Sequence, residues 1–291
     1  MRERVGRHGL VLVAPATILT VGLFVVPFFW LIRISLYETP TGRAAGFYVP
    51  DTLTLAHYAR VAGDPFFRRL ALTTVLQALL VMVVVMVLAY PCAVLLQRLR
   101  GRARTAGVLA VLLPKLTNLL VLTFGLLVLL SNSGPINRTL LGLGAISQPL
   151  PMFANLFALV VTEVVIIAPY PVLILVALLD GLDPTLEQAA RGMGAGPLRA
   201  FYETSFKLTL PGAAAGAFIA FNWAMAAYIG PVAMGSPSTY TIAAQVHTET
   251  FEHGDWPLGA ALATCNSVLV LATLGAFLVS HRLLRRREPV S

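Results

Sequence analysis

Two charged side chains stand alone inside long apolar runs: Lys115 in "LLPKLTNLL" and Glu163 in "VVTEVVIIAPYP". An ionised side chain inside a bilayer costs at least about 2.5 kcal/mol, so its presence there is a statement about function by default. Two roles fit these residue types. Glu163 lies slightly outward of the middle of its run and Lys115 slightly inward of the middle of its own. The difference in depth is about six residues, roughly 9 Å at the helical rise. A long lysine partly closes that gap, which makes a structural ion pair one reading. In the other, Glu163 is the counter-charge for a cation. Asn222, Trp223 and Tyr228 add an amide and two aromatic rings at membrane depth, joined by Tyr170. Aromatic faces together with a carboxylate hold amines well. Interface anchoring and helix packing account for buried aromatics equally well.

Other chemistries lack their residues. Lys115 in "PKLT" and Lys207 in "FKLT" are the only lysines, and neither follows a glycine-rich phosphate loop. His247 and His253 are six apart, outside the usual three-to-five spacing of zinc-binding histidines, with no cysteine nearby. No serine or cysteine sits at a nucleophile elbow with a histidine partner. Cys92 and Cys265 both lie in apolar stretches, where they pack as small hydrophobes rather than form a disulfide framework. The sequence reads as a non-enzyme with no cofactor or metal of its own.

The elements that must position Lys115 and Glu163 are membrane spans. Of 291 residues, 57% are hydrophobic and 12% charged, with a mean hydropathy of +0.81. About 25% charge is usual for a soluble domain, so too few charges remain to cover a wetted surface. A hydrocarbon core needs roughly 20 apolar residues of helix. Six segments qualify, near 9–32, 70–97, 105–130, 152–179, 212–235 and 258–281. The expectation is one all-α membrane domain over 1–291. "MRERVGRHG" resembles the positive leader of a signal peptide, but the following apolar run outlasts a secretory h-region and reads as an uncleaved first span. Pro91, Pro114, Pro169, Pro171 and Pro231 fall inside spans, where kinks would shape a cavity or gate.

The net charge of +8 is distributed as punctuation between apolar runs, not as a nucleic-acid surface. Segments 2–7, 98–104, 191–207 and 282–287 carry three, four, three and four basic residues. The opposite loops hold only Arg33, Arg43, Arg60, Arg68, Arg69 and Arg138, and the loop 236–257 has no lysine or arginine. The positive-inside rule therefore predicts that both termini are cytoplasmic. The same rule puts "LEQAARGMGAGPLRAFYETSFKLTLPG", residues 186–212, on the cytoplasmic side between spans four and five.

Ala189 and Ala190 favour helix and leave a smooth face. Gly192, Gly194 and Gly196 permit a sharp turn with positive φ, and Pro197 suits the first turn of a second short helix. The prediction is a helix–turn–helix along the membrane face, with an ordinary amphipathic connector as the alternative.

The same stretch resembles the cytoplasmic signature of bacterial ABC-importer permeases of the binding-protein-dependent type: E-A-A, three residues, Gly, nine residues, I-x-L-P. Aligned on Gly194, Gln188, Ala189 and Ala190 take the E-A-A positions, with Glu187 one residue earlier. I-x-L-P falls on Thr204, Ser205, Phe206 and Lys207, with Leu208, Leu210 and Pro211 just beyond. "LTLAHYARVAGDPFFRRLALTTV", "GPINRTL" and "YIGPVAMGSPSTYTIAAQVHTETFEHGDWPLGAALA" are similar to the polyamine (spermidine/putrescine) branch of that family.

The resemblance implies a six-span permease subunit in a bacterial inner membrane, forming half of a path for polyamines or similar cations by alternating access. It implies a second homologous permease chain, two cytoplasmic ABC ATPase subunits carrying ATP and magnesium, and an extracytoplasmic substrate-binding protein. Residues 183–211 would couple to the ATPase through Glu187, Gln188, Ala189, Ala190, Gly194, Ala195 and Pro197. Glu163, Tyr170, Asn222, Trp223 and Tyr228 would line the path. The same architecture also serves other cargo, such as an aminophosphonate, an opine-like compound or ferric iron. A secondary transporter using Glu163 as a relay, or a non-transporting membrane anchor, are the readings from other classes.

Overall fold

The computed structural model describes residues 7–40, 47–50 and 52–286; the leader 1–6, with most of the first basic cluster, and Arg43 and Arg287 lie outside the described residues. Among those described, the chain is helical apart from turns and one isolated antiparallel bridge, Glu38 with Val49. In chain order the helices are α1 (Arg7–Ser35), α2 (Ala56–Gly63), α3 (Pro65–Arg98), α4 (Gly101–Leu116), α5 (Leu119–Leu130), α6 (Pro135–Gly142) and α7 (Leu156–Ile167). They continue with α8 (Pro169–Asp180), α9 (Thr185–Gly192), α10 (Pro197–Phe201), α11 (Lys207–Met225), α12 (Ile229–Met234), α13 (Ile242–His247) and α14 (Trp256–Arg286). Among the described residues, five helical stretches are long and apolar enough to cross a membrane, and six if the pair α7–α8, bent by 45°, counts as one span.

Two spans differ from the sequence expectation in detail, and a third bends where its prolines predict. The segment 105–130 is not one helix: it breaks at Thr117–Asn118, and α5 with α6 forms the long apolar stretch Leu119–Gly142. Pro114 lacks the N–H that would continue the ladder, and Asn118 caps the new helix by accepting from the Leu120 amide at 2.9 Å. The segment 212–235 also breaks, at Ala226–Tyr228, while its helical run starts upstream at Pro197. The fourth span bends at Ala168, where Pro169 and Pro171 open α8. Each break lies at apolar depth, where backbone can leave the helix only if its polar groups find other partners.

The chain falls into two units, one of residues 69–244 with 269 onward, the other of residues up to 68 with 245–268. In the first, α8 and α11 pack most closely. Gly212 and Gly216 stand one turn apart on α11, and Cβ atoms there would meet the Leu178 side chain and, at 3.3 Å, Pro171 Cβ of α8. This is the small-residue helix crossing favoured in membranes. A core of Ala78, Val81, Val85, Leu159, Ile167, Ala220 and Met225 joins α3, α7 and α11. Polar clasps hold the segment after α12: Thr74 Oγ1 of α3 accepts from the Ile242 amide at 3.0 Å, and Gln77 Nε2 donates to the Thr239 carbonyl at 3.1 Å.

The other unit is tied by Thr39 Oγ1, which donates to Asp255 Oδ1 at 2.8 Å, and by Phe47 set edge-on to Trp256 at 4.6 Å. Asp255 Oδ1 also accepts from the Leu258 amide at 3.1 Å, capping α14. No part of the apolar window of α1 is buried within the chain.

Candidate translocation site

Glu163 lies on α7 and is only 5% exposed. Its carboxylate reaches a cleft of about 230 Å³ also lined by Leu119, Ile166, Trp223, Tyr228 and Gly230. The break after α11 builds this cleft. With the helix stopped at Met225, Trp223 stands on its last turn, Tyr228 sits in the irregular link, and Gly230 opens α12. A Cβ on Gly230 would fall on Glu163 Oε1, so the carboxylate occupies space that only glycine leaves open.

Lys115, at the C-terminal end of α4, does not pair with Glu163; none of the ion pairs among the described residues joins them. Its ammonium lies 4.0 Å from the Tyr170 ring centroid and 4.5 Å from that of Trp223. The two rings stack with centroids 5.2 Å apart and planes inclined by 25°. Cation–π contacts contribute about 0.5–2 kcal/mol, least where the ring is exposed, and Trp223 is 44% exposed. The fold thus resolves the choice for Lys115 in favour of the aromatic faces.

The structure therefore brings together Glu163, Trp223 and Tyr228, with Tyr170 joined through Trp223. Asn222 does not line the cleft: its Nδ2 donates to the Phe218 carbonyl at 2.8 Å on its own helix, and its Oδ1 is buried without a partner. Sequence reasoning missed Gly230 and Gln77. A glutamine well inside the apolar run of α3 was a visible signal for Gln77. Nothing in the sequence marks Gly230, since its role is steric and comes from a residue 67 positions away.

No family model matches the chain. The spermidine/putrescine transport system permease protein PotB of Escherichia coli (strain K12) is 30% identical over 240 residues, covering 82% of this chain and 87% of that protein. The chain belongs to the ABC-importer permease family. The inner membrane ABC transporter permease protein YdcU of the same organism is 27% identical over 286 residues, 88% of this chain and 90% of that one. Among solved structures, a bacterial alginate ABC transporter in complex with an alginate pentasaccharide-bound periplasmic protein has a TM-score of 0.75 at 15% identity, over 99% of this chain and 98% of that one, and so shares the fold.

In this permease the signature stretch has a defined backbone. α9 ends with Gly194 at φ +91°, the Gly194 amide donating to the Arg191 carbonyl at 2.9 Å and the Ala195 amide to the Ala190 carbonyl at 3.1 Å. These are the paired bonds of a Schellman stop. Gly194 alone of the three glycines takes positive φ. Gly192 closes α9, and Gly196 has φ −63° ahead of Pro197, the first residue of α10. Ala190 is buried, while Gln188 and Ala189 are exposed. Glu187 faces Arg191 at 3.8 Å and keeps one buried oxygen without a partner. At the tip, Met193 and Leu198 are 84% and 86% exposed. Asp183, ahead of α9, accepts from the Thr185 amide at 2.9 Å, a bond that holds its carboxyl below the usual carboxylate range.

Proposed function

We propose that this permease subunit forms half of a path for polyamines or similar small organic cations, crossing by alternating access. One observation carries the reading: a buried acidic residue, Glu163, lines the same cleft as Trp223 and Tyr228. Carboxylate and aromatic faces together suit an amine better than an anion or a neutral sugar. PotB, a relative over most of both chains, is named for spermidine and putrescine transport, which supports the same cargo class.

In this reading Met193 and Leu198 form an apolar tip that seats in a cytoplasmic ATPase, and residues 183–211 pass its closure to the spans. Glu187, with its unpartnered oxygen, takes the acidic role of the signature, not the exposed Gln188. A second homologous permease chain faces this one, two ATPase subunits hold ATP and magnesium, and an extracytoplasmic binding protein delivers the cargo. Both termini are cytoplasmic. This chain holds no cofactor.

The test is uptake of radiolabelled spermidine and putrescine by cells expressing the whole transporter, together with ligand identification on its binding protein. Saturable uptake that requires the ATPase is the expected result. A binding protein that captures an aminophosphonate, an opine-like compound or ferric iron instead would overturn the cargo. Uptake surviving loss of the ATPase would mark a secondary transporter. Orientation is read separately: cysteine at Gly101 or Gly194 resists a membrane-impermeant thiol reagent in intact cells, and cysteine at Ser238 is labelled.

A further inference from the structure

Lys115 satisfies the Tyr170–Trp223 ring pair without touching Glu163, so one ammonium does not serve both groups at once. The rings and the carboxylate are two separate cation contacts, linked by the Trp223 side chain that belongs to both. One contact is already taken by a lysine tethered to the end of α4. Pro114 and the Thr117–Asn118 break end that helix at Leu116, one residue after Lys115.

We infer that Lys115 is a built-in stand-in for a cargo amine: it occupies the aromatic contact beside the cleft, which Trp223 shares with it, and cargo must displace it. The inference rests on the organic-cation reading above and narrows it to cargo with at least two separated amines. A small monovalent cation can neutralise Glu163 and leave the lysine in place, gaining one contact. A diamine or polyamine meets the carboxylate with one amine and the rings with another, and only then is Lys115 expelled. The lysine therefore acts as a threshold against ions that offer a single charge. It also keeps the ring pair from standing empty between cycles.

Two measurements test this on the assembled transporter. The first uses tetramethylammonium, a cation with no N–H that favours aromatic faces, to inhibit radiolabelled spermidine uptake. Removing the tethered competitor in Lys115→Met lowers the concentration that halves uptake by about 2- to 30-fold, the range of cation–π contributions expressed as affinity. Lys115→Arg, which keeps a cation on the rings, stays near the wild type. An unchanged or higher concentration in Lys115→Met overturns the inference.

The second measurement needs no substitution. Acetic anhydride modifies Lys115 slowly while its ammonium rests on the rings, and mass spectrometry of its peptide reads the rate. Hexamethonium, a diammonium with two separated quaternary charges and no N–H to acylate, raises that rate at least about twofold by meeting Glu163 with one charge and taking the lysine's place on the rings with the other. A rate that stays level or falls overturns the inference, even where Lys115→Met does not accumulate. If the wild type takes up no spermidine, the cargo reading fails, and the acylation result still decides the role of Lys115.

Discussion

Gly230 and Gly194 stand at the permease's two candidate working regions, and glycine is required at each for a different reason. At Gly230 a Cβ would land on the Glu163 carboxylate, and the backbone is not in the left-handed region. At Gly194 nothing lies within 4 Å of where a Cβ would be, yet φ is +91°. The buried cleft is limited by space, the exposed turn by backbone conformation. A site inside apolar packing is tuned by volume, because interiors are dense and side chains have nowhere to yield. A handle in water has room for any side chain and is tuned by the path of its chain. The two regions should therefore answer substitution differently.

The largest effect is expected at the carboxylate itself. Glu163→Gln keeps size and hydrogen bonding but removes the counter-charge. A hydrogen bond to a charged group contributes about 1.5–3 kcal/mol, which corresponds to a loss of roughly 10- to 150-fold in spermidine uptake. Protein abundance should stay close to wild type, because Lys115 rests on the Tyr170 and Trp223 rings and is not stranded by the change. Immunoblot of membranes alongside uptake separates the outcomes. A collapse in abundance rescued by adding Lys115→Met would show that the lysine depends on Glu163 after all.

Volume in the cleft comes next. Gly230→Ala forces the Glu163 carboxylate from its position, and overpacking of this kind costs about 1–3 kcal/mol. Because the colliding atom is the end of a side chain, the cost should appear as misdirected charge more than as lost protein. Uptake falls by roughly 5- to 150-fold if all of it reaches transport. Shortening the carboxylate restores room, so Gly230→Ala with Glu163→Asp should transport better than Gly230→Ala alone. Additive losses in the double variant would separate the two residues and break the space argument.

Conformation, not volume, governs the turn. Gly194→Val places a branched residue at positive φ, at a cost of about 1–2 kcal/mol. Gly194→Asn should be better tolerated, since asparagine enters that region more readily. The readout is ATP hydrolysis stimulated by the binding protein, with the valine variant reduced roughly fivefold or more and the asparagine variant between it and wild type. Equal activity in both would mean that the Schellman stop does not set the handle.

How much of this was visible beforehand follows the same division. The apolar runs located the spans, and Glu163 announced itself because a charge in such a run is rare. The stop at Gly194 was legible as well, since helix, glycine and proline in that order is a local signal. What could not be read was long-range. The break at Ala226–Tyr228 sits in sequence that is apolar enough to continue, whereas the one at Thr117–Asn118 carries a local signal, Pro114 and the Asn118 cap, that the apolar run masked. The partner of Lys115 was likewise undetermined. Depth along a straight helix left a gap to the carboxylate that a lysine closes only in part, and the interrupted α4 delivers the ammonium to rings on two other helices instead.

The smallest effect is expected in the loop before α14. There Glu249 is buried, with Gln245 Nε2 donating to its Oε1 at 2.9 Å and His253 Nδ1 at 3.0 Å from its Oε2. The carboxylate bonds to the ring and attracts its positive form, which raises the His253 pKa above its ordinary 6.5. A raised pKa in the folded state means that the folded loop binds the proton more tightly than the unfolded one. The stabilisation is therefore complete below about 6.5, where both states are protonated. It fades as pH rises through the higher folded value. His253 is exposed and water screens the pair, so the change is local and modest. Amide exchange across 248–255 should quicken as pH climbs through that window once the intrinsic base dependence is removed, and His253→Gln should abolish the extra slope. A slope that persists in the variant would assign the pH response to another group. A wild type without one would leave the Glu249–His253 bond with no effect on the loop.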